Sequence, residues 1–441
     1  MKPAGGLRRV AASTALLLAA ACTSQTSEAR PPASSTPPAS STPPASSTPS
    51  ASSSPSEPPS GSPSASPTRT PTEPPTQTPT EPPTQTPIEE PAEPLRRFTV
   101  AMSGDVLLHE GLWSTARLDA AAAGEPGMDF RPLLASMRPV LSEADLAICH
   151  METPLAPPGG PYAGYPLFSA PPQVTRALEW AGFDVCTTAS NHSLDQGVEG
   201  LRRTLETLDR NGLDYAGTAR TQREARRPVL VEAGDATVGL VSQTYGTNGI
   251  PIPDDQPWSV PLIDTDAALE AAARARRAGA DVVLVALHWG LEYQQAPTPE
   301  QTAIARRLLR SPYVDLVYGH HAHVVQPFDR VRGKWVAYGL GNMVAQQLTE
   351  ITGVYDGVTA RFTFGERRGG GFRVTRAEFI PTYITPLTTE QPRMRLLRIT
   401  DALRDDSEAA SGAELRAALR RVRGAVDLLG AREGGLRLLR R

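Results

Sequence analysis

Between residues 98 and 342 one arrangement recurs: an apolar run of strand length ends in a short cluster of Asp, Glu, Asn or His. Ser103-Gly104-Asp105 follows Phe98–Met102, His150-Met151-Glu152 follows Leu146–Cys149, and Ser190-Asn191-His192 follows Val185–Thr188. His288-Trp289-Gly290 follows Asp281–Leu287, Gly319 to His323 follows Val314–Tyr318, and Gly341-Asn342 follows Trp335–Tyr338. All seven histidines lie in or beside these clusters. In an open α/β sheet the ligand site lies beyond the carboxyl ends of the strands. Six strands are therefore expected to deliver their polar ends to one rim.

The segments between the runs have helical period, which predicts an α/β fold. Helices are expected over 130–141, 173–181, 199–211 (stopped by Gly212), 265–278 and 300–309. Residues 229–231 and 237–241 read as a hairpin turning at Gly234-Asp235. Further strands are expected within 353–384, and 391–441 reads as an Arg-rich helical extension to a domain spanning 96–390. Its arginines, Arg416 to Arg441, are expected to form a solvated face, with contact to anionic polymer or lipid as the alternative.

The N-terminus differs in kind. Lys2, Arg8 and Arg9 precede a short apolar segment, Val10 to Ala21, which reads as a signal peptide over 1–21. It ends Leu18-Ala-Ala-Ala-Cys22, similar to the bacterial lipobox, so Cys22 is the expected lipidation site and the membrane a partner through the anchor. Residues 22–95 then form a Pro-rich linker. Twenty-one of the 44 prolines fall between Pro31 and Pro94, among no Phe, Trp, Tyr, Leu or Val. Such a segment buries too little apolar surface to offset its ordering entropy, so disorder is expected. A net charge of −3 gives no case for nucleic acid. Three cysteines exclude a disulfide-stapled scaffold, and Cys149 and Cys186 read most simply as buried strand residues, with a disulfide between the two as the alternative.

Carboxylates, an amide and several imidazoles suit one or two borderline divalent cations such as Mn, Fe or Zn. A pair of such ions activates water and holds both oxygens of an in-line displacement.

Read in order, Ser-Gly-Asp105, Met-Glu152-Thr-Pro, Ser-Asn191-His192-Ser-Leu-Asp195, His288-Trp-Gly-x-Glu292-Tyr293, Gly319-His-His-x-His323 and Gly341-Asn342 resemble the CapA family of poly-gamma-glutamate capsule-synthesis proteins. That domain is similar to the calcineurin-like metallophosphoesterases. The resemblance implies stacked β-sheets flanked by helices, and a cell-surface role in making or exporting an anionic polymer, with a membrane-bound synthase as a partner. It implies metal ligation by Asp105, Glu152, Asn191, His288, His320 and His323, with His192 as general acid or oxyanion stabiliser and Asp195 orienting it. Two positions depart from the pattern: Leu107 stands where the phosphoesterases carry His, and His150 where the family carries Asn. His109, His150 and His321 have no assigned role. The reading that follows is a metal-dependent hydrolase of a phosphoester or polymer amide. The alternative is a polymer-binding or assembly factor that cleaves nothing.

Overall fold

β1 (Arg97–Val106) starts one residue before the expected strand but runs past Met102 to include Asp105, so the first polar cluster sits inside the strand. The structure is a computed structural model in which residues 95–439 are described; the signal segment, Cys22 and the linker up to residue 94 lie outside them. Parallel to β1 stand β2 (Leu146–Met151), β3 (Val185–Thr187) and β4 (Asp214–Ala216), in that order. Parallel neighbours need crossover connections. Here these are α1 (Glu110–Ala122), α2 (Arg131–Leu134) and α3 (Arg138–Ser142), then α4 (Val174–Ala181), then α5 (Gly197–Arg210).

After α6 (Gln222–Arg226) comes the expected hairpin of β5 (Val229–Ala233) and β6 (Ala236–Thr244). Its turn uses Gly234 at φ 58°, a conformation glycine adopts without steric cost. The hairpin opens the second sheet, ordered β5-β6-β7-β8-β10-β9, with β7 (Val282–His288), β8 (Leu316–His320), β9 (Phe328–Val331) and β10 (Lys334–Ala337). α7 (Thr265–Arg277) and α8 (Pro299–Arg310) make its crossovers. The chain then returns to the first sheet. β11 (Asn342–Val344) pairs with the end of β1, and β12 (Asp356–Glu366) and β13 (Phe372–Ile384) extend the sheet beyond it.

Phe98, Val100 and Met102 of the first sheet share one buried cluster with Val238, Leu284 and Leu316 of the second. The two sheets are therefore stacked face to face. Leu178, Leu201 and Leu205 of α4 and α5 cover the outer face of the first, and Ala268, Ala272, Leu308 and Leu309 of α7 and α8 cover the second. The expected stacked α/β architecture flanked by helices is what the chain forms.

Three expectations are corrected. The tail is not purely helical. It holds α9 (Ile399–Arg404) and α10 (Gly412–Val426), but also β14 (Leu396–Arg398) and β15 (Leu436–Leu438), both paired with β13. Three-residue strands carry almost no periodic signal, so only the exposed edges of β13 reveal them. α1 had no counterpart in the sequence reading. Finally, Cys149 and Cys186 are buried as expected but are joined as a disulfide. They occupy paired positions on β2 and β3, 4.4 Å apart at Cα, although 37 residues separate them in sequence.

Candidate metal centre

Two glycines allow the strand ends to converge. A Cβ on Gly104 would lie 2.0 Å from the Gly341 carbonyl oxygen, and one on Gly319 would lie 2.0 Å from that of Tyr338. Side chains there would hold β1 and β8 off their neighbours. Beyond β8 the backbone turns sharply: His321 has φ 88° and His323 φ 53°. Imidazole residues in the left-handed region cost about 1–3 kcal/mol each and concentrate at functional sites.

The convergence buries a continuous polar cluster. Asp105 Oδ1 accepts from His320 Nδ1 at 2.7 Å, while Oδ2 accepts from the His321 amide at 3.2 Å and lies 3.2 Å from His323 Nδ1. Burial acts to raise the Asp105 pKa, but hydrogen bonds from His320 and His323 outweigh it and hold the carboxylate well below its usual range. Glu152 lies just past β2, with Oε1 3.7 Å from His323 Nε2 and 3.8 Å from His288 Nε2. Burial pushes its pKa well above the ordinary value. Burial would lower His323, yet Glu152 and Asp105 push it up to about 9. Burial lowers His321 to about 3.

A second chain of contacts crosses from the first sheet to the second. Thr187 Oγ1 is 2.9 Å from His150 Nδ1, His150 Nε2 is 2.9 Å from His288 Nδ1, and His288 Nε2 is 2.8 Å from Asn191 Oδ1. The His150 ring stacks on His320 at 3.9 Å. Burial, reinforced by neighbouring imidazoles, holds His150 and His288 well below the usual histidine pKa. Beside Asn191, His192 Nδ1 is 2.7 Å from Asp195 Oδ2. That oxygen also accepts from the Phe168 amide at 2.8 Å, which fixes the carboxylate that fixes the ring. The Nδ1–H tautomer is thereby favoured, which leaves Nε2 as the nitrogen not engaged by Asp195.

The whole cluster falls inside one sequence signature. The family model for the bacterial capsule synthesis protein PGA_cap matches residues 99–347. The chain belongs to this family. The PGA_cap chain is 31% identical over 183 residues to the capsule biosynthesis protein CapA of Bacillus anthracis, covering 41% of this chain and 44% of that one. It is 27% identical over 239 residues to the PGA biosynthesis protein CapA of Bacillus subtilis, covering 53% and 60%. The matches thus span about half the length of these relatives. Among solved structures it is similar to a calcineurin-like phosphoesterase of Bacillus subtilis, with a TM-score of 0.40, 14% identity, and coverage of 76% of this chain and 99% of that one.

In this PGA_cap chain all eight expected site residues meet at one rim. Three sets of side chains each bring their donor atoms within 4.8 Å of one another: Asp105–His150–His320, Asp105–Glu152–His323 and Glu292–His321–His323. His150, without a role in the sequence reading, enters one of these sets. His288 enters none of these sets; its two nitrogens lie against His150 and Asn191. His109 is the N-cap of α1 and meets the Phe168 ring edge-on at 5.1 Å, with burial lowering its pKa to about 4. Leu107 is buried, and its backbone amide bonds to the Val344 carbonyl. Sequence reasoning missed Asn248, whose Oδ1 accepts from Asn191 Nδ2 at 3.1 Å and whose Nδ2 lies 3.4 Å from His192 Nδ1. Asn248 follows β6 by four residues. The rule that polar residues follow strands would have found it had β6 been followed to its end.

The donor set fits divalent cations on evidence internal to the site. Both carboxylate oxygens of Glu152, His320 Nε2 and His321 Nδ1 are buried without a hydrogen-bond partner. A buried charge left unpaired costs several kcal/mol. Cations held among these oxygen and nitrogen donors remove that cost, and the mixture suits Mn, Fe or Zn.

Proposed function

We propose that this protein is an accessory factor in the synthesis or export of an anionic polymer of the poly-gamma-glutamate type, and that its buried centre hydrolyses a phosphoester or an amide of that polymer. The observation that carries this is the convergence of Asp105, Glu152, His320 and His323 with the unpartnered oxygens of Glu152 among them. Asp105, Glu152, His320 and His323, assisted by His150, would hold one or two divalent cations. A cation bound there supplies Lewis acidity and shifts the pKa of a bound water from ~16 toward ~7. The chain's own contribution is placement. Asp195 orients His192 so that its Nε2 can give a proton to a leaving group, and Asn191 and Asn248 steady that edge of the site. Export and lipid anchoring at Cys22 belong to the same reading. The Cys149–Cys186 disulfide supports the export part of that reading, because such bonds persist in oxidising compartments.

The test is elemental analysis of the purified chain, followed by assays with Mn, Zn or Fe against phosphoesters and gamma-glutamyl amides. Turnover that falls ~100-fold or more in His192→Ala and vanishes in Asp105→Ala is expected. No turnover with any cation sinks the hydrolase. A second reading, in which the centre holds polymer without cleaving it, draws on Leu107: it is apolar where a further ligand would stand, so one cation is thinly held. Polymer binding with no hydrolysis would select it.

A further inference from the structure

Apart from their histidines, the loops that build the centre contain no cationic side chain. Residues 103–110, 150–170, 187–197, 243–262, 288–300, 319–327 and 339–357 include neither Lys nor Arg, whereas Asp105, Glu110, Glu152, Asp195, Glu292 and Glu350 all fall within them. An anionic chain whose one group reaches the cations therefore finds nothing in the surrounding loops to neutralise its remaining charges.

A groove of about 450 Å3 leads away from this mouth and supplies what the loops lack. It begins at Tyr293, whose ring lies 6.3 Å from that of His323, and at Val324, the residue after His323. Val325 gives it an apolar wall, and Gln295 and Thr352 offer side chains able to hydrogen-bond amides. It ends against α10 at Arg420 and Arg421. These two arginines differ. Arg421 is spent on Asp356, with Nη2–Oδ1 at 2.8 Å and Nε–Oδ2 at 2.5 Å. Arg420 is exposed and has no acidic partner among the described residues. Glu292, the acid nearest the mouth, brings a carboxylate oxygen within 4.8 Å of donor nitrogens of His321 and His323. Among the charged residues that line the groove itself, Asp356 and Arg421 pair with each other, so the charge left over is that of Arg420 at the far end, while Glu292 stands outside the lining.

We infer that this groove binds the carboxylate-bearing chain flanking the group held at the metal centre, with Arg420 as the residue that selects for negative charge. The inference rests on the polymer reading above and adds a location to it. α10 lies outside residues 99–347, so nothing in the family signature assigns it. An apolar wall, amide-competent side chains and a terminal guanidinium match a chain of methylenes, amides and carboxylates.

The experiment uses the full purified chain, loaded with Mn, and a fluorescent gamma-linked oligoglutamate titrated by anisotropy. Arg420→Glu is compared with Arg310→Glu, an equal charge change at the end of α8 on the other sheet. About tenfold or greater weakening in Arg420→Glu, with Arg310→Glu near wild type and Mn content unchanged in both, is the expected result. Equal weakening in the two variants would mean a diffuse field and overturn the groove. Unchanged binding in Arg420→Glu would overturn the groove while leaving the polymer reading intact, and no binding by the Mn-loaded wild type would remove both. A parallel arm uses phosphatidylglycerol vesicles: if Arg420→Glu lowers vesicle binding and leaves oligoglutamate binding alone, the arginine serves a membrane surface and the inference fails.

Discussion

Glu152 shows how a single side chain can be costly to the empty site and necessary to the filled one. It is fully buried, pushed by burial toward its protonated form, and accepts no hydrogen bond with either oxygen. Gln lacks the ionised form that burial disfavours and loses only the long contact to His323, so Glu152→Gln in excess chelator should be neutral or stabilising by ~1–3 kcal/mol in urea unfolding. In saturating Mn the sign should reverse, because the variant lacks a cation-holding oxygen. A variant that is strongly destabilised in chelator as well would show that Glu152 is a structural acceptor, and the case for cations at this position would fall. His192 and Asp195 behave differently. Their pair is complete without any ion, so Asp195→Asn should leave Mn content unchanged while lowering turnover through a misoriented ring. Measuring both quantities on one preparation separates the roles.

At the scale of elements, the disulfide shows best what the sequence could and could not reveal. The polar clusters were legible because each follows a long apolar run, and a run of five to seven buried residues announces a strand. Asp105, Glu152, His288 and His320 could therefore be placed at strand ends without a structure. The partner of Cys149 could not, since it depends on which strand lies beside β2, and neighbour order is a tertiary fact. The same holds for β14 and β15, which exist only as partners of β13. Asn248 was legible in principle and lost because β6 was followed only to Val241. In the chain-entropy model, closing a loop over the 37-residue separation of Cys149 and Cys186 contributes about 2–4 kcal/mol. Cys149→Ser with Cys186→Ser should lower stability by that amount under oxidising conditions. Its effect should be nearly absent when wild type and variant are compared in reductant. A large loss that persists in reductant would point instead to packing of the two sulfurs between β2 and β3.

For the whole molecule, the cluster makes folding and cation binding one equilibrium. Its candidate ligands come from β1, β2 and the residue after it, β8 and the turn after β8, and so from both stacked sheets. An unfolded chain scatters these groups over more than two hundred positions and cannot hold a cation among them. Binding to the folded state alone stabilises it by about 2.7 kcal/mol at a free cation concentration of 100 times Kd. With about 2 cal/mol/K of unfolding entropy per residue, the described residues 95–439 convert that into a rise in Tm of roughly 4 °C. The rise should grow by a further ~2 °C for each tenfold increase in cation, since each decade adds ~1.4 kcal/mol. Calcium, which favours six to eight oxygen ligands, should do much less than Mn or Zn at a centre this rich in imidazole. The measurement is calorimetry of the chelator-treated chain with each cation added back. A Tm independent of Mn, Fe and Zn over that range would mean that the strand ends meet without coordinating anything, and the assignment of a metal centre would have to be withdrawn whatever the family signature implies.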